Sequence, residues 1–219
     1  MTTHAHLHAL QRFAAAALTT LTLSTSVWAI SDAQFQPARA QFLAATLGNE
    51  AAIEKSVSTF AALLEQEPAN PVLMAYSGAA TTLQATTTLL PWKKMRYAED
   101  GLAQLDKALT LLTPNHNTPA PHGVPAALEV RFTAASTFLA VPGFMNRGAR
   151  GTKLLGEVLA SPLLPATPAE FRGTVWMRAA ELAAKDKRND DARRFYNEVI
   201  QANAPQAPAA RAQLQALQS

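Results

Sequence analysis

Apolar residues recur at helical spacing along most of the chain, and four of these apolar stretches run into a proline. Those prolines, Pro68, Pro114, Pro162 and Pro205, are separated by 46, 48 and 43 residues. A repeat of roughly 20–50 residues is typical of stacked helical hairpins, because each hairpin buries its apolar face only against its neighbours. Such arrays usually bind another molecule on an extended concave surface. The pattern therefore predicts an all-α architecture and indicates function only indirectly.

The predicted helices form four pairs followed by one final helix. Gly48 and Asn49 separate the helices of the first pair, and Asn70 is expected to cap the next helix, with Pro71 at its first position. The predicted ranges are 37–47 and 50–67, 71–89 and 92–112, 126–140 and 144–160, 168–185 and 190–203, with 208–217 as the final helix. The threonines at 86–88 are poor helix formers, so the third helix is expected to fray at its end.

The fourth pair resembles a tetratricopeptide repeat. In that family the first helix has an aromatic residue early and a small residue where the helices cross. The second helix has an alanine near its start, an aromatic residue four positions later and a closing proline. The matching residues here are Trp176, Ala180, Ala192, Tyr196 and Pro205. The second pair supplies Gly78, Ala108, Leu109 and Pro114, and the first pair supplies Phe60 and Pro68.

This resemblance covers most of residues 37–217, although the family period is about 34 residues and the present intervals are longer. It implies a right-handed stack of about four helical hairpins, a tetratricopeptide-like α-solenoid, with a C-terminal capping helix. It also implies that the first helix of each pair lines the concave face. A protein- or peptide-binding scaffold without catalytic chemistry is the function that the family suggests.

The first 29 residues have the pattern of a bacterial signal peptide. A short segment ending at Arg12 precedes an apolar run from Phe13 to Val27, and the small residues around Trp28 predict cleavage after Ala29. An uncleaved membrane anchor is the alternative, but the many Thr and Ser residues of this run favour cleavage. We therefore predict a periplasmic mature protein in which residues 30–219 form a single domain.

The composition excludes several kinds of chemistry and of binding partner. The chain has no cysteine, which excludes disulfides, thiolate catalysis and a lipidated N-terminal cysteine. A formal net charge of +3 gives no indication of nucleic-acid binding, which requires a clustered basic face. Charges or prolines interrupt every apolar run after residue 30, so no membrane span is expected once the signal peptide is removed.

No group of residues predicts catalysis, a cofactor or a metal. His116 and His122 share the proline-rich loop 113–125, but a zinc site needs further ligands, and both histidines are expected to be solvated. Neighbouring carboxylates such as Glu99 and Asp100 point about 100° apart on a helix, so they do not act together as general acid and base. A hydrolase would need a buried carboxylate, and the sequence does not identify one.

The most promising surface segment lies at the start of the fourth predicted helix, where two aromatic residues accompany three cations. Aromatic residues and arginine are favoured in binding hot spots. For Trp92, packing into the hinge between the helices is the preferred interpretation, which leaves the cations available to a partner. Two arginines on helices expected to line the concave face are secondary candidates. The complete set of partner-binding candidates is Trp92, Lys93, Lys94, Arg96, Tyr97, Arg131 and Arg172.

Two functions remain open at this point. The first is a scaffold or adaptor that binds a protein or peptide within an envelope assembly or transport system. The second is a small-molecule carrier that passes a solute to a transporter. A groove open along its length would favour the scaffold, whereas a closed cavity with converging polar groups would favour the carrier.

Overall fold

Helices make up nearly all of the regular structure. The computed structural model describes residues 30–217, so the predicted signal peptide lies outside the described residues. The helices are α1 (Asp32–Thr46), α2 (Glu50–Gln66), α3 (Pro71–Gln84), α4 (Pro91–Thr110), α5 (Ala126–Ala140), α6 (Gly148–Leu159), α7 (Ala169–Lys185), α8 (Asn189–Gln201) and α9 (Ala207–Ala216). No β-strand occurs between residues 30 and 217, which confirms the all-α prediction.

Each odd-numbered helix from α1 to α7 packs against the even-numbered helix that follows it, and α9 packs against α8. The pair α3 and α4 has the most extensive contact, and α3 also packs against α1, α2 and α5. Helix α3 is consequently the centre of the fold. Its residues 71–80 are all buried.

Asparagine side chains cap the starts of two helices, and the sequence predicts the second of these caps, at Asn70. The Asn49 side chain accepts a hydrogen bond from the backbone N–H of Ala52 at 3.0 Å. The Asn70 side chain accepts from the N–H groups of Val72 and Leu73 at 3.0 and 3.2 Å, and Pro71 follows as the first helical residue. These bonds satisfy backbone donors that have no partner within the helix.

Three predicted helix limits differ from the structure by four or five residues, and the others agree to within two. Helix α1 begins at Asp32, five residues before the predicted start, because Ser31 and Gln34 form a capping box and Pro37 is accommodated inside the helix. Helix α3 ends at Gln84, and the threonines that follow bond back to the preceding turn instead of extending it. Before α6, residues 143–145 form a 3-10 turn, and Asn146 adopts the left-handed conformation that ends it.

Two glycines allow α3 and α4 to approach closely. A Cβ atom on Gly78 would lie 2.7 Å from the carbonyl oxygen of Gly101, and a Cβ atom on Gly101 would lie even closer to the carbonyl oxygen of Gly78. Cβ atoms in proteins essentially never lie within 3.0 Å of a non-bonded oxygen atom. The extensive contact between these helices therefore depends on the absence of side chains at both positions.

Replacing Gly101 with alanine should destabilise the protein by about 1–3 kcal/mol, because an added methyl group overpacks the helix crossing. The matched control is Gly156→Ala in α6, where a new Cβ would meet no atom within 4 Å. That control should stabilise the protein by about 0.5–1 kcal/mol, since alanine is the better helix former. Urea unfolding followed by circular dichroism measures both effects, and equal shifts in the two variants would contradict the close approach.

Candidate functional site

The candidate site is a cavity of about 1010 Å³ between the odd-numbered helices. Residues of α1, α3, α5 and α7 line it, together with the first two turns of α4 and the segment 141–145. Most of the lining is apolar, with side chains such as Phe42, Leu83, Phe132 and Met177 on the walls. We call this cavity the concave pocket.

A buried carboxylate organises the base of the concave pocket. Glu129 of α5 is only 1% exposed, and the hydroxyl of Tyr76 on α3 donates to its Oε1 at 2.8 Å. His122 Nε2, from the loop before α5, lies 2.9 Å from the other carboxylate oxygen, and Arg39 Nε of α1 lies 3.9 Å from Oε1. A charge is tolerated in this interior position because it is paired and hydrogen-bonded on several sides.

Arg39 also links the first and last helices that line the pocket. Its Nη1 donates to Glu170 of α7 at 3.0 Å, across 131 residues of sequence. His122 makes a second connection to α1, because its Nδ1 lies 3.5 Å from Asp32 at the start of that helix. Polar contacts at the pocket base therefore join α1, α3, α5 and α7 and the loop before α5.

These contacts change the pKa values of the participating groups. Burial strongly raises the pKa of Tyr76 above its ordinary value, and the negative charge of Glu129 raises it further. Burial by itself would lower the pKa of His122, but the hydrogen bond and charge of Glu129 and the charge of Asp32 outweigh it, so the pKa is raised. The tyrosine thus stays neutral, and the protonated histidine is favoured beside its two carboxylates.

Two buried polar atoms in the pocket wall have no hydrogen-bond partner among the described residues. They are Ser136 Oγ on α5 and Arg178 Nε on α7, which line the wall together. The other guanidinium nitrogens of Arg178 donate to the Ser136 carbonyl at 3.1 Å and to Glu181 at 3.3 Å. Buried polar groups in proteins normally have a partner, so these two atoms are available to a ligand in the pocket.

The end of the pocket opposite Glu129 is open and apolar. Leu43 at the end of α1, Met95 in the second turn of α4 and Phe144 after α5 line this opening, and all three are exposed to solvent. Methionine and aromatic side chains adapt to ligands of different shape. The pocket therefore has a polar base and an apolar mouth.

The structure places the five candidates at the start of α4 near this mouth. Lys94 lines the pocket, while Lys93 and Arg96 are exposed on the same helix. Trp92 is 67% exposed, so the interpretation that it packs into the hinge between helices is wrong. Tyr97 is half-buried, and the Arg96 guanidinium lies 5.6 Å from the centre of its ring.

The two secondary candidates do not line the concave pocket. Arg131 borders a separate cavity of about 440 Å³ together with residues of α4 and α6, and its Nε lies 3.6 Å from Glu157. Arg172 donates to the backbone carbonyls of Pro165 and Thr167, which ties the start of α7 to the turn before it. Both side chains have structural contacts that account for their positions.

Sequence reasoning missed the two residues that organise the pocket base. His122 was expected to be solvated, but its side chain is only 8% exposed and lies against Glu129 and the ring of Phe35. The buried carboxylate that the sequence did not identify is Glu129. It is the single charged residue in the otherwise apolar segment 126–130, and this pattern was the available signal.

No protein-family model, curated protein or solved structure matches the chain. Between residues 30 and 217, no cluster of His, Cys, Asp or Glu side chains has the composition of a metal site. Within the same range, none of the helices has the length and apolar character needed to cross a bilayer.

Proposed function

We propose that this protein is an exported, non-catalytic carrier that binds a largely apolar small molecule in the concave pocket and serves an envelope transport system. Residues 30–219 would act as a tetratricopeptide-like, right-handed stack of about four hairpins, with α9 as the capping helix. Export to the periplasm, with cleavage after Ala29, belongs to the same proposal.

The observation that carries this proposal is the combination of a polar base with a large apolar cavity. A volume of about 1010 Å³ is at the upper end of the roughly 300–1,000 Å³ typical of small-molecule sites. At the base of the cavity, Arg39 bridges α1 and α7 through its ion pair with Glu170, whereas a groove for a passing polypeptide would be open along its length. Converging polar groups at the base would orient a ligand whose apolar part fills the walls.

The absence of catalysis is proposed from the geometry of Glu129. Both of its oxygens already accept hydrogen bonds from this chain, one from Tyr76 and one from His122. A general acid or base needs an oxygen within reach of the proton that moves on the substrate. The carboxylate is better suited to fixing the pocket base than to proton transfer.

A protein- or peptide-binding scaffold is the second candidate function. The exposed side chains of Leu43, Met95 and Phe144 favour it, because exposed apolar residues around a cavity are common in protein-binding sites. In this case the mouth would receive an apolar side chain or a terminal segment of a partner in the envelope.

Filling the pocket should abolish binding of a small apolar ligand. We expect the neutral fluorophore N-phenyl-1-naphthylamine to bind the wild-type protein and Thr137→Trp to weaken its affinity more than about tenfold, because the indole would occupy the cavity that Thr137 lines. Fluorescence titration measures both affinities.

Thr110→Trp is the matched control. Thr110 is an exposed helical threonine outside the pocket, and its hydroxyl bonds to a backbone carbonyl of the preceding turn, as does that of Thr137. The control should bind the fluorophore like the wild type. Equal affinities for Thr137→Trp and the wild type would contradict the carrier. If the fluorophore does not bind but a peptide array yields ligands that Thr137→Trp no longer recognises, the scaffold is the correct function.

A further inference from the structure

Large exposed apolar side chains concentrate at one edge of the fold. Every such residue between positions 30 and 217 lies at the connection between α1 and α2, between α3 and α4 or between α5 and α6, or in the helical turns next to it. They are Leu43, Leu47, Leu89, Leu90, Trp92, Met95 and Phe144. We call the surface formed by the α1–α2, α3–α4 and α5–α6 turns the turn edge.

The three turns lie together because the odd-numbered helices run in the same direction. Phe132 of α5 packs on Phe171 of α7, and one turn later Ser136 receives a hydrogen bond from Arg178, so these two helices are parallel. Residues near the starts of α3 and α5 meet at the pocket base, whereas the turns that follow both helices line its mouth. The turn edge therefore surrounds the opening of the concave pocket.

The side chains at the turn edge project into solvent instead of packing together. Leu89 is 92% exposed and Leu47 is 88% exposed, while Trp92 and Phe144 are each about two-thirds exposed. Monomeric soluble proteins rarely expose several large apolar residues in one region without a partner. The partner must accept separate projecting side chains from three different turns.

The turn edge is positively charged at the α3–α4 turn, whereas the α1–α2 turn is followed by the exposed carboxylate of Glu50 at the start of α2. Residues 82–98 contain Lys93, Lys94 and Arg96 and no carboxylate, and none of the three cations forms an ion pair among the described residues. The nearest carboxylates on the same helix are Glu99 and Asp100, and the cations of the α5–α6 turn, Arg147 and Arg150, are paired with Asp106. An anionic surface is complementary to the free cations of α4.

We propose that the turn edge docks on the surface of an anionic phospholipid bilayer. Leu89, Trp92 and Phe144 enter the headgroup region, and the cations at the start of α4 bind lipid phosphates. Tryptophan, leucine and phenylalanine beside lysine and arginine are the residues that interfacial segments use. A fluid bilayer accepts separate projecting side chains without matched cavities, whereas a folded protein partner would need a cavity for each.

This proposal goes beyond the carrier function, because docking does not require a ligand in the pocket. Docking would nevertheless fix the orientation of the pocket relative to the bilayer. Since the mouth lies at the turn edge, a docked molecule would place its apolar opening against the bilayer, and an apolar ligand could enter without crossing water.

Vesicle flotation on a density gradient tests the proposal. The wild-type protein should float with vesicles of phosphatidylglycerol and phosphatidylethanolamine at low salt and much less with phosphatidylcholine vesicles. Lys93→Glu/Lys94→Glu should reduce partitioning by at least about tenfold, because each lysine near an anionic surface contributes appreciably to binding. Trp92→Ser/Phe144→Ser should reduce it on both vesicle types, because the inserted apolar area is lost.

The matched control is Lys107→Glu/Arg211→Glu, which changes the net charge by the same amount at exposed positions away from the turn edge. This variant should float like the wild type, and all four proteins should have the same helical circular dichroism. Every protein carries the same N-terminal segment, so differences among them report the turn edge alone. Absence of wild-type flotation with anionic vesicles, or equal loss in the control and the Lys93/Lys94 variant, would overturn the proposal and leave a protein partner as the occupant.

Discussion

Replacing Glu129 with alanine is expected to destabilise the protein by about 3–5 kcal/mol, although the change removes a charge from the interior. The carboxylate is the common partner of Tyr76, His122 and Arg39 at the pocket base. Its removal leaves a buried hydroxyl, an imidazole and a guanidinium with fewer partners, and a buried polar group without a partner costs its full desolvation energy. Urea unfolding followed by circular dichroism measures the loss.

Glu170→Ala is the control for this prediction. Glu170 also pairs with Arg39, at 3.0 Å, but its side chain is half exposed to water. Exposed ion pairs contribute roughly 0–1 kcal/mol, so the control should change the free energy of unfolding only slightly. Comparable losses in the two variants would show that burial of Glu129 does not determine its contribution.

The stability of the wild type and that of Glu129→Ala should depend differently on pH. The pKa of His122 is raised in the folded protein, so its contribution to stability is complete below its ordinary pKa of about 6.5 and is lost as the pH rises through the raised value. Wild-type stability should therefore fall between mildly acidic and mildly alkaline pH. In Glu129→Ala this decrease should be smaller, because the hydrogen bond and the larger of the two charges that raise the pKa are gone. An equal decrease in both proteins would assign the pH dependence to other groups.

The helical architecture could be predicted from the sequence because its causes are local. Apolar residues at helical spacing, asparagine caps such as Asn49 and Asn70, and the proline at position 71 act over a few residues. The predicted helix limits that differ from the structure also have local causes. At α1, the capping box at Ser31 starts the helix upstream of Pro37, which the sequence predicts as the first helical residue.

The pocket base could not be predicted because its contacts join distant parts of the chain. Tyr76 and Glu129 are 53 residues apart, and Arg39 and Glu170 are 131 residues apart. No spacing rule relates such positions, since they meet only when the odd-numbered helices converge. His122 illustrates the consequence, because a histidine in a proline-rich loop has the sequence context of a solvated residue and nevertheless packs beneath α1.

The turn edge was partly visible in the sequence. The concentration of aromatic and basic residues at 92–97 identified this segment as a surface candidate. The direction in which Trp92 points could not be read from it, since the same residue could pack between helices or project from the turn. The contributions of Leu47 and Phe144 depend on the common direction of the odd-numbered helices, which is a property of the tertiary structure.

Replacing Phe60 with alanine should cost about 3–5 kcal/mol, because Phe60 is fully buried and joins the first helix pair to the pocket. Its ring stacks on Tyr76 at 4.9 Å between ring centres and meets the edge of Phe42 at 6.3 Å. The control is Phe144→Ala, which removes the same atoms from an exposed ring and should change the free energy of unfolding by less than about 0.5 kcal/mol. Urea unfolding distinguishes the two, and similar values would contradict the assigned packing.

Hydrogen exchange in the Phe60→Ala variant would show which helices lose stability. In the tetratricopeptide-like array that we propose, each helix pair would touch only its neighbours, and damage would stay near its origin. Helices α1 to α3 should then exchange faster, while α8, which packs on α7 and α9, should keep its protection.

Helix α7 is the informative case, because Arg39 of α1 binds Glu170 across the pocket base. We expect faster exchange at the start of α7 but not from Arg178 onwards, because Arg178 is held by the Ser136 carbonyl. Unchanged protection throughout α7 would mean that the Arg39–Glu170 ion pair does not couple α7 to α1.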